Sequence, residues 1–103
     1  MDIMQEEVFG PVLPICEVES FEEAIEKAND SPYGLTAMVF TSSKKKALQA
    51  LKDLEAGSIT VNDNNDWNVK TSRSGMKDSG MGVELGKHGI WEYAQIKHLT
   101  VDL

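Results

Sequence analysis

Between residues 12 and 62, short apolar runs alternate with segments whose apolar residues have helical spacing. The runs at 12–19, 35–41 and 58–62 have the length of β-strands, and the first two are apolar on both faces, as in a parallel sheet. Pro14 lacks an amide hydrogen, so we expect an edge or a bulge in the first run. Strand, helix, strand, helix, strand predicts a partial βαβαβ unit of α/β class with right-handed crossovers.

Both intervening helices have recognisable ends. Ser20 and Glu23 match a capping box, and an Asp-Ser-Pro sequence at 30–32 ends the first helix. Ser42 or Ser43 caps the second helix, and Gly57 is expected to stop it. The predicted buried stripes are Phe21, Ala24, Ile25 and Ala28 in the first helix, and Ala47, Leu48, Leu51 and Leu54 in the second.

The remainder of the chain is more polar. Residues 63–82 are predicted to form a long loop, which in a compact domain is usually functional or mobile. A calcium loop starting near Asp63 is rejected, because no register supplies both a glycine at the sixth position and a glutamate at the twelfth. Residues 84–96 are predicted to form a third helix with Leu85, Ile90, Tyr93 and Ala94 turned inward. Residues 98–103 alternate in polarity like an edge strand.

Size and charge exclude several classes. A chain of 103 residues with 41% hydrophobic content is typical of one globular domain. A formal net charge of −7 argues against nucleic acid as a partner. No run approaches the roughly 20 apolar residues of a membrane helix, and the first residues lack a signal-peptide pattern. The expected location is therefore cytoplasmic, with no membrane partner.

Two features invite a functional interpretation that the local sequence does not favour. Cys16, the single cysteine, has apolar neighbours and an adjacent acid, which do not activate a nucleophilic thiol; we expect it to be structural. The basic run at 44–46 is better explained as a solvated helix face than as a binding patch. His88 and His98 lack the spacing of metal ligands, and no metal site is expected.

The stretch at 5–12 is chemically suggestive. It places the carboxylates of Glu6 and Glu7 and the ring of Phe9 just before a Gly-Pro corner. Carboxylates accept hydrogen bonds from sugar hydroxyls, and an aromatic ring can stack on a flat heteroaromatic one. These residues alone indicate either a nucleotide or sugar contact, or simply an acidic turn ahead of a strand.

Four segments in order resemble the NAD(P)-dependent aldehyde dehydrogenases, specifically the C-terminal segment of their catalytic domain. The segment at 6–11 is similar to that family's Glu-Glu-x-Phe-Gly-Pro signature. The others are Asn-Asp-Ser-Pro-Tyr-Gly-Leu-Thr-Ala at 29–37, Ala-Gly-Ser-Ile-Thr-Val-Asn at 56–62 and Gly-Met-Lys-Asp-Ser-Gly-Met-Gly-Val-Glu at 75–84. Val83 departs from the usual Gly-Arg-Glu.

The resemblance implies that residues 1–96 are the C-terminal part of an aldehyde dehydrogenase catalytic domain and that 97–103 form an oligomerisation strand. Such enzymes oxidise an aldehyde to a carboxylic acid through a cysteine thiohemiacetal and transfer hydride to NAD or NADP. By motif position, Glu7 should bind the nicotinamide ribose hydroxyls and Phe9 should pack beside the nicotinamide ring. Cys16 does not match the family's Gly-Gln-x-Cys context, so no catalytic residue is expected in this chain.

The resemblance also places 63–82 on the substrate side. Trp67 could form an apolar wall there. Arg73 stands where the family usually has a phenylalanine; its guanidinium would suit an aldehyde that also carries a carboxylate, or it is simply turned to solvent. We expect the isolated chain to be inactive and not to bind the coenzyme. Its partner would be the missing upstream portion of the same enzyme, or another copy through self-association. The alternative is a non-catalytic oligomerisation or binding module.

Overall fold

A computed structural model describes residues 2–64 and 68–103, so Trp67 lies outside the described residues. Helices and strands alternate along the chain, which confirms the predicted α/β class. After a 3-10 turn at Asp2–Met4, the elements are α1 Phe21–Asn29, β1 Tyr33–Gly34, β2 Thr36–Val39, α2 Lys44–Asp53, β3 Ser58–Val61, β4 Arg73–Ser74, β5 Met76–Lys77, β6 Val83–Glu84 and α3 Gly86–Trp91.

The centre of the fold is a crossover unit made of β2, α2 and β3. The two strands run parallel, with Thr36 opposite Ser58 and Val39 opposite Val61. Parallel neighbours need a connection long enough to return to the same end of the sheet, and α2 provides it. The buried hydrophobic residues lie at the end of α2 and just beyond it: Ala50, Leu54 and Ala56.

The first helix begins as the sequence predicts. The Ser20 hydroxyl accepts a hydrogen bond from the Glu23 amide at 3.1 Å, and the Glu23 carboxylate accepts one from the Glu19 amide at 2.8 Å. These bonds satisfy amide groups that a helix start leaves without partners. Asp30 follows the last helical residue as the C-cap. The predicted stripe is only half-buried, and Ala28 is exposed.

The second helix differs from expectation at its end and on its face. Ser43 is its N-cap, accepting from the Lys46 amide at 3.4 Å, whereas Leu54 and not Gly57 is its C-cap. Ala50 is buried and the predicted inward residues Leu48 and Leu51 are exposed. The helix has more apolar residues than the rest of the described chain covers, so only the side that carries Ala50, together with the C-cap Leu54, is buried.

Two segments with strand patterns are not paired within the described chain, and the proposed pairing of 97–103 with another subunit stays a prediction. Residues 12–19 and 97–103 carry no strand hydrogen bonding to any described residue. An apolar pattern shows that a segment suits burial, but a strand also needs a neighbour that accepts and donates its ladder bonds. The described part of this chain provides no such neighbour, and Pro14 removes one donor.

The segment from 63 to 82 is not wholly the loop that its polar composition predicts. Two short antiparallel pairs form within and beside it: β5 pairs with β1, with Gly34 opposite Met76, and β4 pairs with β6, with Arg73 opposite Glu84. The third helix is shorter than 84–96, because it ends at Trp91. It packs through Gly89, where a Cβ would come within 2.8 Å of the Glu84 carbonyl carbon.

The described residues form an elongated body with a small core. The radius of gyration is 18.1 Å, whereas a compact chain of this length has about 13 Å. The extents are 70 × 33 × 22 Å, and no large side chain among the described residues is completely buried. Within the same residues, no helix is long and apolar enough to cross a membrane.

Candidate functional site

Glu7 lines a cleft of about 390 Å³. The N-terminal segment forms one wall of this cleft, and the turn after α1 and the residues after β5 form the others. Among the described residues, no side chain or amide donates a hydrogen bond to the Glu7 carboxylate, so its oxygens are available as acceptors. The lining residues are Met4, Gln5, Glu6, Glu7, Ser31, Tyr33, Leu35, Asp78 and Ser79.

Phe9 does not line that cleft. Its side chain is 92% exposed, and the chain turns sharply beyond it. The Val12 amide donates to the Gly10 carbonyl at 2.8 Å across Pro11, a three-residue turn that proline's restricted φ favours. The turn separates the direction of the Glu7 segment from that of residues 12–19.

Arg73 lines a second cleft, of about 690 Å³, together with Glu84, Glu92 and Tyr93. Its guanidinium nitrogen Nη1 is shielded from solvent. The residue as a whole is half-buried, so its side chain is only partly exposed, and a role toward the substrate stays a prediction. The position follows from strand pairing, because β4 holds Arg73 opposite Glu84 on β6.

The two clefts share a wall, to which both Leu35 and Ser79 contribute. The Ser79 hydroxyl accepts a hydrogen bond from the Gly34 amide at 2.9 Å, which holds the β1 end against the turn after β5. The fold thus brings Glu7 and Arg73, 66 positions apart in the sequence, to neighbouring concave surfaces.

Sequence reasoning missed a polar junction centred on Lys77. Its ammonium donates to the Asn29 carbonyl at 2.6 Å and to the Ser31 carbonyl at 3.1 Å, and it lies 2.7 Å from a Glu55 carboxylate oxygen. The Asn29 side chain in turn accepts from the Glu55 amide and donates to the Asp53 carbonyl. Lys77 and Asn29 both belong to motifs that carry the family resemblance, but their contact joins segments that are distant in sequence.

Cys16 is exposed, so the expectation of a structural, buried cysteine is wrong. Since no strand forms at 12–19, no described element covers it. The Lys27 ammonium donates to its sulfur at 3.5 Å. Residues 44–46 are exposed, as predicted for a solvated helix face.

The clearest electrostatic perturbation lies outside both clefts, on α1. A hydrogen bond from Lys27 lowers the pKa of Glu23 from its usual 4.5, and the Glu19 amide acts in the same direction. The same bond raises the pKa of Lys27 from its usual 10.5. The pair is 2.8 Å apart and exposed, so it supports the helix only slightly. Within the described residues, no cluster of His, Cys, Asp or Glu is arranged to hold a metal ion.

Comparisons with known proteins agree on one family. The aldehyde dehydrogenase family model matches residues 1–99. Retinaldehyde dehydrogenase 3 of Rattus norvegicus is 44% identical over 103 residues, covering 100% of this chain and 20% of that protein.

Two solved structures share the fold. One is the betaine aldehyde dehydrogenase of Staphylococcus aureus in complex with NAD+, with a TM-score of 0.86 and 44% identity over 90% of this chain and 18% of that one. The other is an NAD-dependent aldehyde dehydrogenase from Sinorhizobium meliloti, with a TM-score of 0.89 and 38% identity over 94% and 19% of the two chains. The chain thus spans about a fifth of the length of the relatives that it matches.

Proposed function

The chain belongs to the aldehyde dehydrogenase family, and on that premise we propose that it forms the coenzyme-contacting and substrate-side part of an enzyme that oxidises an aldehyde to a carboxylic acid with NAD or NADP. The observation that carries the proposal is the placement of Glu7 on the wall of a cleft, next to the cleft that Arg73 lines.

The residues of the first cleft suit one part of a dinucleotide. The Glu7 carboxylate has only acceptor sites, and the hydroxyls of a ribose are donors that it can bind in pairs. A cleft of about 390 Å³ has room for a nucleoside portion. The bound coenzyme supplies the hydride acceptor of the reaction, and the role of Glu7 is to hold its sugar in one position.

Phe9 would act beside Glu7 as an apolar platform. An exposed aromatic ring next to a ribose-binding carboxylate can pack along a nicotinamide ring, and that burial is favourable by roughly 1.5–3 kcal/mol. The ring would then limit the tilt of the nicotinamide relative to the aldehyde. This role needs the remainder of the enzyme to close over the ring, which is why coenzyme binding by the isolated chain is not expected.

The second cleft would form part of the aldehyde side. The Arg73 guanidinium can bind a carboxylate with two parallel hydrogen bonds, which favours an aldehyde that also carries a carboxylate. Glu84 and Glu92 in the same cleft oppose such a substrate, so the net preference depends on how closely the guanidinium reaches it. Trp67 is proposed as an apolar wall of the same region.

The nucleophile of the proposed reaction is supplied from outside this chain. Cys16 lies on an exposed segment and lines neither cleft. We therefore expect no aldehyde oxidation by the isolated polypeptide, and the proposed partner is the upstream portion of the same enzyme. Cys16-dependent turnover by the chain alone would contradict this.

The test is a chimera in which this chain replaces the matching segment of the Staphylococcus aureus enzyme. We expect aldehyde-dependent NADH formation in the chimera. Glu7→Gln should raise the coenzyme KM by about tenfold, since it weakens charge-assisted hydrogen bonds to the sugar. Glu6→Gln is the matched control and should change it by less than about twofold. Equal effects of the two variants would overturn the assignment of Glu7.

A terminal assembly role is the second candidate. Leu99, Val101 and Leu103 are exposed, and they alternate with polar residues along 97–103, the pattern of a strand that pairs with another chain. Light scattering of the isolated chain tests it. A defined oligomer that Val101→Asp converts to monomer would support a non-catalytic assembly module, and a monomer for both forms would remove it.

A further inference from the structure

We propose that Lys77 and Gln5 are positioning residues that together fix the segment carrying Glu7 against the end of α1. The inference rests on the proposed function, because it explains how the coenzyme-contacting carboxylate is held in place. Lys77 does not line the coenzyme cleft, and Gln5, which does, acts in this scheme through its side-chain bond to the Asp30 carbonyl. Both act through backbone carbonyls.

The end of α1 is the common anchor. Three consecutive carbonyls there, of residues 29, 30 and 31, accept hydrogen bonds from side chains outside the helix. Lys77 supplies the bonds to Asn29 and Ser31, and the Gln5 amide nitrogen supplies the bond to Asp30 at 2.9 Å. Carbonyls at a helix end lack intrahelical partners and carry partial negative charge, so a cation is favoured there.

The geometry around Lys77 uses the whole ammonium group. An ammonium has three N–H donors, and here it has three acceptors: two carbonyls and the Glu55 carboxylate. The lysine backbone adopts φ +53°, a conformation that is uncommon for residues other than glycine, asparagine and aspartate. Pairing of β5 with β1 places it there, with Tyr33 opposite Lys77. The junction is therefore built by the fold and not by local sequence.

The link from this anchor to Glu7 is short. Glu7 is two residues beyond Gln5, so at most about 7 Å of extended chain separates the two positions. The Gln5 bond is the only hydrogen bond that ties residues 3–9 to the described remainder of the chain, so losing it leaves that segment unanchored. Without Lys77, the residue 29–31 turn would be held by the Asn29 side-chain bonds and by the bond from the Asp30 amide to the Glu26 carbonyl, and the acceptor for Gln5 would be less firmly fixed.

Cleavage by a glutamate-specific protease tests this in the chain as it exists. The rate at Glu7–Val8 reports on the anchored segment, and the rate at Glu92–Tyr93, another exposed site, serves as the internal control. Each rate is divided by its value in the urea-unfolded variant, which removes effects of the substitution on protease preference. Lys45→Met, in a solvated stretch, is the matched lysine control.

We expect Lys77→Met and Gln5→Ala each to accelerate cleavage at Glu7 by about tenfold and to leave cleavage at Glu92 unchanged. Lys77→Arg should restore part of the protection, because a guanidinium can still donate to the carbonyls. An unchanged Glu7 rate in Gln5→Ala, or an equal rise at both sites in Lys77→Met, would overturn the proposal.

The chimera separates this inference from the proposed function. In the chimera, Lys77→Met and Gln5→Ala should raise the coenzyme KM by severalfold with little change in the aldehyde KM. General destabilisation would instead reduce the amount of active enzyme and leave both KM values unchanged. An effect of both variants on proteolysis, combined with no effect of Glu7→Gln on the coenzyme KM, would refute the role of Glu7 and keep the anchor.

Discussion

Gly57 offers a sharp test of how the central unit meets the segment after residue 72. Its amide donates to the Gly34 carbonyl at 3.0 Å, and a Cβ at this position would meet the backbone of Ser74, with the carbonyl carbon only 2.7 Å away. Both contacts are with backbone held in short strands, so no flexible side chain can move aside. Gly57→Ala must therefore push β3 and β4 apart.

The expected magnitude follows from overpacking. Inserting a methyl group against fixed backbone destabilises by about 1–3 kcal/mol, and the smaller entropy of the unfolded alanine chain offsets about 0.4–1 kcal/mol of this. Gly82→Ala is the matched control, because nothing lies within 4 Å of its added Cβ. It should be neutral or slightly stabilising.

Urea and thermal unfolding, followed by circular dichroism, measure the difference between the two variants. A net loss of about 2 kcal/mol corresponds to a fall of about 8–16 °C in Tm for a chain of this size. If Gly57→Ala and Gly82→Ala unfold within about 0.5 kcal/mol of each other, the close approach of β3 and β4 is not a feature of the folded protein.

Three further measurements follow from the local contacts. Ser20→Ala removes the N-cap of α1 and should lower the free energy of unfolding by about 1 kcal/mol in urea titrations, with an unchanged value refuting the cap. The lowered pKa of Glu23 gives α1 a stabilisation that is present above pH 4.5 and lost as pH falls through the folded pKa. The raised pKa of Lys27 gives a stabilisation that is present below pH 10.5 and lost as pH rises through the folded pKa. In pH titrations of helicity, Glu23→Gln should abolish the first dependence and weaken the second, because Cys16 also raises the pKa of Lys27. Asn62 has φ 55°, and its side chain accepts a hydrogen bond from the Thr41 amide and donates one to the Thr41 carbonyl. Asn62→Ala should lower the free energy of unfolding by about 2 kcal/mol in urea titrations. Asn62→Gly, whose backbone tolerates that φ, should lower it by less; equal losses would show that the bonds alone, and not the backbone conformation, account for the effect.

Local patterns in the sequence determined the starts of both long helices, the parallel β2–β3 pair and the family itself. The Ser20 cap depends on residues three positions apart, and the strands at 36–39 and 58–61 each have apolar runs of the right length. The position of Glu7 within its motif likewise follows from the sequence alone, although its role stays a proposal. The caps need only neighbours in the chain, and the β2–β3 pair needs only the short helical crossover between two adjacent strand patterns.

Tertiary structure alone decided which apolar segments find partners and which polar groups meet. Residues 12–19 and 97–103 have the pattern of strands, but a ladder requires a second strand that pattern cannot supply. The Lys77 junction joins residues up to 48 positions apart, and the burial of the Arg73 nitrogen depends on pairing with β6. Contacts of this kind are set by the path of the whole backbone, because each side chain's partners come from distant segments whose local sequence does not specify which residues they will contact.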